Sequence, residues 1–299
     1  MDFSALANEL RHTFPALSLK ENEPMKQHCS FRIGGPADIF AEPADEAELA
    51  AIWKYLRGHG APVTVIGNGT NLLVHDEGIR GVTLHLGERF ASVRREGTAL
   101  YAQAGVTLAR LATAAKEAGL AGLEFAHGIP GSLGGAVMMN AGAYGGEMKD
   151  VVATVRYLDE NGDAHETAEP DFSYRRSRFT GSGELILGAS VRLTPDDPAA
   201  IHGRMMELWA KRSASQPLDR PSAGSTFKRP ATGYAAAMID AAGLKGVSVG
   251  GAQVSEKHAG FVINTGSATF ADVTALMALI QDKVQKRFGV LLEPEVRIL

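Results

Sequence analysis

The stretch Val65-Ile-Gly-Asn-Gly-Thr-Asn-Leu-Leu-Val74 decides the fold. It opens on apolar strand residues, bends through Gly67-Asn68-Gly69-Thr70 and returns at once to apolar residues. Paired glycines after a strand invite comparison with the dinucleotide-binding fingerprint. That pattern requires a third glycine at the sixth position, a helix starting inside the motif and an acidic residue about 20 positions further on. Here the sixth position is Leu72, and Asn71-Leu-Leu-Val74 continues as a second short strand before the turn His75-Asp-Glu-Gly78. A strand–loop–strand phosphate cradle is therefore expected in place of a Rossmann one. Taken alone, the two glycines serve equally well as turn formers.

A second glycine-rich loop follows about sixty residues later, Gly128-Ile-Pro-Gly-Ser-Leu-Gly-Gly-Ala136, and runs into Asn140-Ala-Gly-Ala-Tyr-Gly145. Glycine lets main-chain N–H groups approach an anion with no Cβ in the way, and a loop that turns several N–H groups inward makes a concave anion site. Two such loops together suggest a clamp on a diphosphate cofactor.

Composition excludes several classes. The 299 residues are 45% hydrophobic and 21% charged, ordinary for a folded chain of two domains. A net charge of −4 with mixed signs offers no basic face to a nucleic acid. The single cysteine, Cys29, cannot form an internal disulfide and has only His28 beside it as a metal ligand, so a cytoplasmic chain without zinc is expected. The N-terminus is acidic where a signal peptide is basic. No apolar run has the roughly 18 residues a membrane span needs.

The pattern to residue 195 mixes helices and strands as an α+β domain. Asp45 caps an amphipathic helix with Leu49, Ile52, Trp53 and Leu56 on one face, and Thr107 opens another that stops at Gly119. Strands are expected over 81–86, 99–104, 151–158 and 184–193, with turns at Glu96-Gly97 and Asp159-Glu-Asn-Gly162. Thr194-Pro-Asp-Asp-Pro198 is the best linker candidate, so residues 1–195 and 196–299 are expected as two domains, the second a smaller α/β one. The second contains helices over 198–212 and 234–242 and strands over 248–254 and 260–264. Its final helix is capped by Thr269 and Asp272, with Val273, Leu276, Met277, Ile280, Val284 and Phe288 along its apolar stripe.

Three polar spots stand out. Phe172-Ser-Tyr-Arg-Arg-Ser-Arg-Phe179 gathers three arginines, either a solvated turn or a carboxylate or phosphate fork. Ala223-Gly-Ser-Thr-Phe-Lys-Arg-Pro230 has a serine after glycine but no hydrolase elbow. In Leu292-Glu-Pro-Glu-Val-Arg-Ile-Leu299, alternation puts Glu293, Glu295 and Arg297 on one face, for which a surface salt-bridge ladder is the plain alternative.

Taken in order, Arg32-Ile-Gly-Gly-Pro, Gly67-Asn-Gly-Thr-Asn-Leu-Leu, Gly128-Ile-Pro-Gly-Ser-Leu-Gly-Gly, Asn140-Ala-Gly-Ala-Tyr-Gly, Tyr174-Arg175, Ala223-Gly-Ser225-x-Phe-Lys and Glu293-Pro-Glu295-Val resemble the UDP-N-acetylenolpyruvoylglucosamine reductase family. Each motif is weak alone, and together they span nearly the whole chain. The resemblance implies a vanillyl-alcohol-oxidase-type FAD-binding domain with noncovalent FAD, a UDP-sugar-binding domain, and NADPH as reducing co-substrate. By the family pattern, Arg32, Gly67, Asn68, Gly69, Thr70, Asn71, Leu72, Gly128, Ile129, Pro130, Gly131, Ser132, Gly134, Gly135, Asn140, Ala141, Gly142 and Tyr144 hold the cofactor. Arg175 and Glu295 stabilise an enolic intermediate, and Ser225 donates the completing proton. Arg212, Gln216, Lys228 and Arg229 are candidate substrate contacts.

Two features depart from parts of that family. The stretch from Leu193 to Ser225 is too short for the insertion that carries a pocket-closing tyrosine in one branch, so this chain resembles the shorter branch. Arg229 stands where some members have asparagine. An FAD-dependent oxidase of the same fold is disfavoured by the Arg-Ser-Glu set, because alcohol oxidation needs a base at the carbinol. A flavin- or nucleotide-binding protein without catalysis would leave Ser225 and Glu295 without purpose.

Overall fold

The computed structural model describes residues 1–299, which divide into two compact units. The first comprises Met1–Glu21, Asp38–Asn68 and Gly81–Lys211, and the second Asn22–Ala37, Gly69–Arg80 and Arg212–Leu299. Division by packing thus falls after Lys211, not at 195, and groups two N-terminal segments with the C-terminal part. Thr194-Pro195, expected in a linker, is a short strand paired antiparallel with Leu120–Ala121, and the Asp196 N–H donates to the Gly119 carbonyl at 2.9 Å.

The helices are α1 (Phe3–Thr13), α2 (Glu46–Gly58), α3 (Leu108–Glu117), α4 (Leu133–Met138), α5 (Pro198–Ser215), α6 (Ala235–Ala241) and α7 (Phe270–Phe288). Local chemistry sets their ends. The Asp45 carboxylate accepts from the Glu48 N–H, while the Glu48 side chain reaches back to the Ala44 N–H, one residue earlier than a standard capping box. Thr107 caps α3 through the Arg110 N–H, and Gly119 beyond its end has φ +67°.

In the first unit a five-stranded sheet, ordered 164–167, 152–158, 185–192, 99–103 and 93–96, is antiparallel throughout. A second sheet, most of whose residues also belong to this unit, orders 18–24, 36–42, 79–85 and 63–66, with Val63–Ile66 parallel to Ile79–His85. Leu49, Ile52, Trp53 and Leu56 of α2 and Leu108, Leu111, Ala112 and Ala115 of α3 are buried in the same core as these strands. Alternation of sheet and helix without a doubly wound pattern gives the α+β class.

In the second unit a four-stranded antiparallel sheet runs 222–225, 261–264, 252–254 and 248–249. The expected single strand over 248–254 is a hairpin: Gly250, at φ +52°, and Gly251 form its two-residue turn, and a Cβ on Gly251 would lie 2.3 Å from the Ala268 nitrogen. Both halves of the capping box at Thr269 and Asp272 form, and α7 buries Val273, Leu276, Met277, Ile280 and Val284. Each of the larger side chains contributes about 1.5–3 kcal/mol by leaving water. Phe288 does not extend that stripe into the core; it ends the helix exposed. Phe31, Ile33 and Leu73 join this core from far earlier in the chain. Leu72–Leu73 pairs in parallel with Arg297–Ile298, so the expected second strand after the first glycine loop exists and finds its partner at the C-terminal end of the sequence.

Candidate active site

The two glycine loops adjoin where Gly67 and Asn68 meet Pro130 and Ser132. The Asn68 amide donates to the Pro130 carbonyl, and a Cβ on Gly67 would lie 2.0 Å from the Ser132 hydroxyl oxygen. Glycine is obligatory at Gly69 as well: φ is +61°, and a Cβ there would stand 2.0 Å from the His28 carbonyl oxygen. The N–H groups of Gly67, Asn68, Gly69 and Thr70 donate to no main-chain carbonyl. Successive N–H groups left in this state fit the phosphates of a dinucleotide such as FAD. The second loop is more selective than its glycine content suggests. Ile129, Leu133 and Gly134 donate to Ala126, Val106 and Ala104, whereas Gly131 and Ser132 have no main-chain acceptor.

Asn140-Ala-Gly-Ala-Tyr-Gly is a hairpin. Gly142–Ala143 pairs with Gly146–Glu147, and Tyr144-Gly145 form the tip with φ of +54° and +89°. A Cβ on Gly142 would press to 2.7 Å from both Glu147 and the Gly146 carbonyl, which explains the glycine. Tyr144 is exposed at the tip, while Ala141 packs against the core. Arg32 lies in a turn of the second unit, where its N–H donates to the Cys29 carbonyl at 3.1 Å; the same turn abuts the first glycine loop, since the Ser30 N–H donates to the Gly69 carbonyl at 3.1 Å.

The three clustered arginines separate by role. Arg178 pairs with Glu184 at 2.7 Å and lies over the Tyr157 ring, a structural use. Arg176 is exposed. Arg175 sits with Tyr174 at the tip of a tight turn in which Ser173 and Arg176 exchange main-chain hydrogen bonds of 2.9 and 3.2 Å. Its φ of +56° is a left-handed conformation, uncommon for a long side chain. The Arg175 guanidinium lies over the Tyr174 ring, 5.2 Å from its centroid. Glu147 is held below the usual carboxylate range, mainly by its hydrogen bond from Lys149, with a further contribution from the Arg175 charge.

Ser225 and Glu295 belong to the second unit and come close through the main chain. The Glu295 N–H donates to the carbonyl of Thr226, the residue after Ser225, at 2.9 Å, and the Lys228 N–H donates to Glu293 at 2.8 Å. Ser225 ends its strand and is exposed. The two glutamates are inequivalent. Glu293 is exposed and ion-paired with Lys228 at 3.2 Å. Glu295 is half-buried, and its carbonyl accepts from the Asn71 amide at 3.1 Å. A regular surface ladder over 293–297 does not form, since only Arg297–Ile298 is strand.

The candidate substrate contacts are dispersed along this unit. Arg212 lies near the end of α5, and Gln216 follows with a buried side-chain carbonyl oxygen that has no hydrogen-bond partner. Such an orphan acceptor costs about 1–3 kcal/mol and marks a place for a donor. Lys228 is engaged by Glu293, and Arg229 stacks on Tyr234 at 4.1 Å. Two residues that the sequence reading passed over matter to this geometry: Glu147, which Asn140 and Lys149 hold, and Thr226, whose hydroxyl accepts from the Val262 N–H. Only proximity in the fold reveals them.

The loop chemistry and architecture agree with a flavoprotein oxidoreductase that has an FAD-binding α+β domain and a second, smaller domain. A family model described as an FAD binding domain matches residues 37–168, and one described as the C-terminal domain of UDP-N-acetylenolpyruvoylglucosamine reductase matches 216–299. A reductase of that name from Caldanaerobacter subterraneus subsp. tengcongensis is 50% identical over 296 residues, covering 98% of each chain. Another, from Agathobacter rectalis, is 50% identical over 299 residues and covers 95% of each. The crystal structure of the Thermus caldophilus enzyme superposes with a TM-score of 0.81 at 34% identity, covering 94% of this chain and 98% of that one. The chain belongs to the UDP-N-acetylenolpyruvoylglucosamine reductase family, and its cofactor is FAD. No helix is long and apolar enough to cross a membrane.

Proposed function

We propose that this chain reduces the enolpyruvyl ether of UDP-N-acetylglucosamine to UDP-N-acetylmuramate with NADPH, in the cytoplasm, as a step of peptidoglycan synthesis. The unit of Met1–Glu21, Asp38–Asn68 and Gly81–Lys211 supplies most of the FAD-binding part of this reading, and the unit that ends at Leu299 the UDP-sugar part. The N–H groups of Gly67–Thr70, Gly131 and Ser132 are the best-fitted donors for the FAD phosphates. FAD held there would supply the hydride chemistry, with NADPH as reductant and the terminal carbon of the substrate's double bond as acceptor. The chain's own residues manage the charge and the proton. As negative charge develops on the substrate carboxylate, the Arg175 guanidinium meets it, stabilising the transition state more than the ground state. Glu295 acts on the same enolic species. Ser225 delivers its hydroxyl proton to the carbon next to the carboxylate and regains one from solvent, so one hydride and one proton saturate the double bond. A serine is a weak acid, but this carbon is basic enough to accept its proton from a well-placed hydroxyl.

The observation that carries the reading is the 2.9 Å main-chain hydrogen bond from the Glu295 N–H to the Thr226 carbonyl, which brings the backbone of Glu295 to the residue after the proposed proton donor, while Glu293 is in a solvent ion pair. Anaerobic mixing of the holoprotein with NADPH and the enolpyruvyl UDP-sugar tests it. NADPH loss that depends on the UDP-sugar is expected. Flavin bleached by simple alcohols would instead indicate an oxidase, and an unchanging spectrum a binding protein.

A further inference from the structure

Asn140 lies in a motif whose family reading assigns it to the flavin, yet its side chain is spent on the protein. The residue is 1% exposed. Its amide nitrogen donates to the Glu147 carboxylate at 2.9 Å and to the Ser173 carbonyl at 3.2 Å, and its oxygen accepts from the Lys149 N–H at 2.9 Å. An asparagine side chain offers two N–H donors, and both are used. None is left for a phosphate.

These bonds converge on the turn that carries Arg175. Ser173 is the base of that turn, where it exchanges main-chain bonds with Arg176, and the left-handed Arg175 needs support from outside its own segment. Glu147, the other acceptor, is a carboxylate on which the Arg175 charge acts, and Lys149 holds it in a 2.8 Å ion pair. Asn140 thereby ties the backbone of the turn, and a carboxylate that feels the charge of its arginine, to one buried point. We propose that Asn140, acting with Glu147, is a positioning residue for Arg175 and not a side-chain ligand of the flavin. The proposal rests on the reductase reading.

The test uses full-length holoenzyme carrying Asn140→Ala or Glu147→Gln, each made in the parent and in the Arg175→Ala background. Three quantities are read: flavin bound per chain, the rate of flavin bleaching by NADPH, and the rate at which the enolpyruvyl UDP-sugar reoxidises the reduced protein. Flavin content and bleaching stay within about twofold of the parent, while reoxidation slows about 10- to 100-fold for Asn140→Ala, as misplacement of a charge-stabilising group implies. Glu147→Gln slows it about 3- to 10-fold, and it decides the matter if Asn140→Ala does not fold. With Arg175 already removed, either substitution costs less than about threefold, because coupled residues are not additive. Loss of flavin, equal slowing of both half-reactions, or an undiminished effect in the Arg175→Ala background overturns the proposal. A parent enzyme that the UDP-sugar fails to reoxidise overturns the reductase reading first, and this proposal with it.

Discussion

The segments that carry the proposed chemistry are held in opposite ways in the two units. Arg175, in the first, rides a strained turn whose base is pinned by the side chain of one buried asparagine. Ser225 and Glu295, in the second, are held chiefly by main-chain bonds, Glu295 to Thr226, Lys228 to Glu293 and Thr226 to Gly260, with one side-chain bond from Asn71 to the Glu295 carbonyl. Side-chain support can be removed by one substitution. Main-chain support survives most substitutions and fails only where an N–H is lost. The first unit's contribution is thus the mutable one, and the second's is built into the backbone ladder.

The largest effect expected comes from removing the functional groups themselves. Arg175→Ala and Glu295→Gln should each slow reduction of the UDP-sugar by about 10²- to 10³-fold, the scale of a lost transition-state donor. Flavin reduction by NADPH should persist in both. Glu293→Gln should stay within about twofold. Unchanged turnover in Glu295→Gln, measured by stopped-flow absorbance, would end the assignment of that residue.

A backbone change should come next. Arg297→Pro deletes the N–H that donates to the Asn71 carbonyl at 2.9 Å, and should cost about 1–3 kcal/mol of stability in urea unfolding. Arg297→Ala keeps the N–H and should stay within about 0.5 kcal/mol. Equal losses in the two variants would break the contrast between the units.

The smallest effect concerns pH. The Glu147 carboxyl is depressed below its ordinary value of 4.5, so the fold favours its ionised form. Its contribution is complete above that value and disappears as pH falls through the lower, folded one. Glu147→Gln should therefore show a slightly flatter acid limb in thermal unfolding between roughly pH 5 and pH 3. The group is largely solvated, which keeps the difference small. A steeper acid limb in the variant would contradict the assignment of charge.

Local features were legible in the sequence because their causes are local. Thr269 and Asp272 announce α7, and Leu72 in place of a third glycine removes the Rossmann reading without reference to any distant residue. Long-range pairings left no such mark. Nothing near Leu72 indicates that it pairs with Arg297, nor near Phe31 that it enters the α7 core. Gly250-Gly251 turned one expected strand into a hairpin, and Phe288 continued a helical stripe beyond the surface it was meant to cover. At the site, motif spacing identified Asn140 and Asn71 as notable, but their side-chain partners could be read only from the fold.

Assembly of the second unit from three separated pieces has a consequence for synthesis. The Phe31 carbonyl accepts from the Asn264 amide across 233 positions, and the Ser30 hydroxyl donates to Ser222 across 192. At about 5–20 residues per second, a ribosome takes roughly 12 to 47 s to supply Asn264 after Phe31. For that interval the segment around Phe31 and Ile33 has no core to enter. Of the pieces that build this core, it is the one that waits longest for its partners.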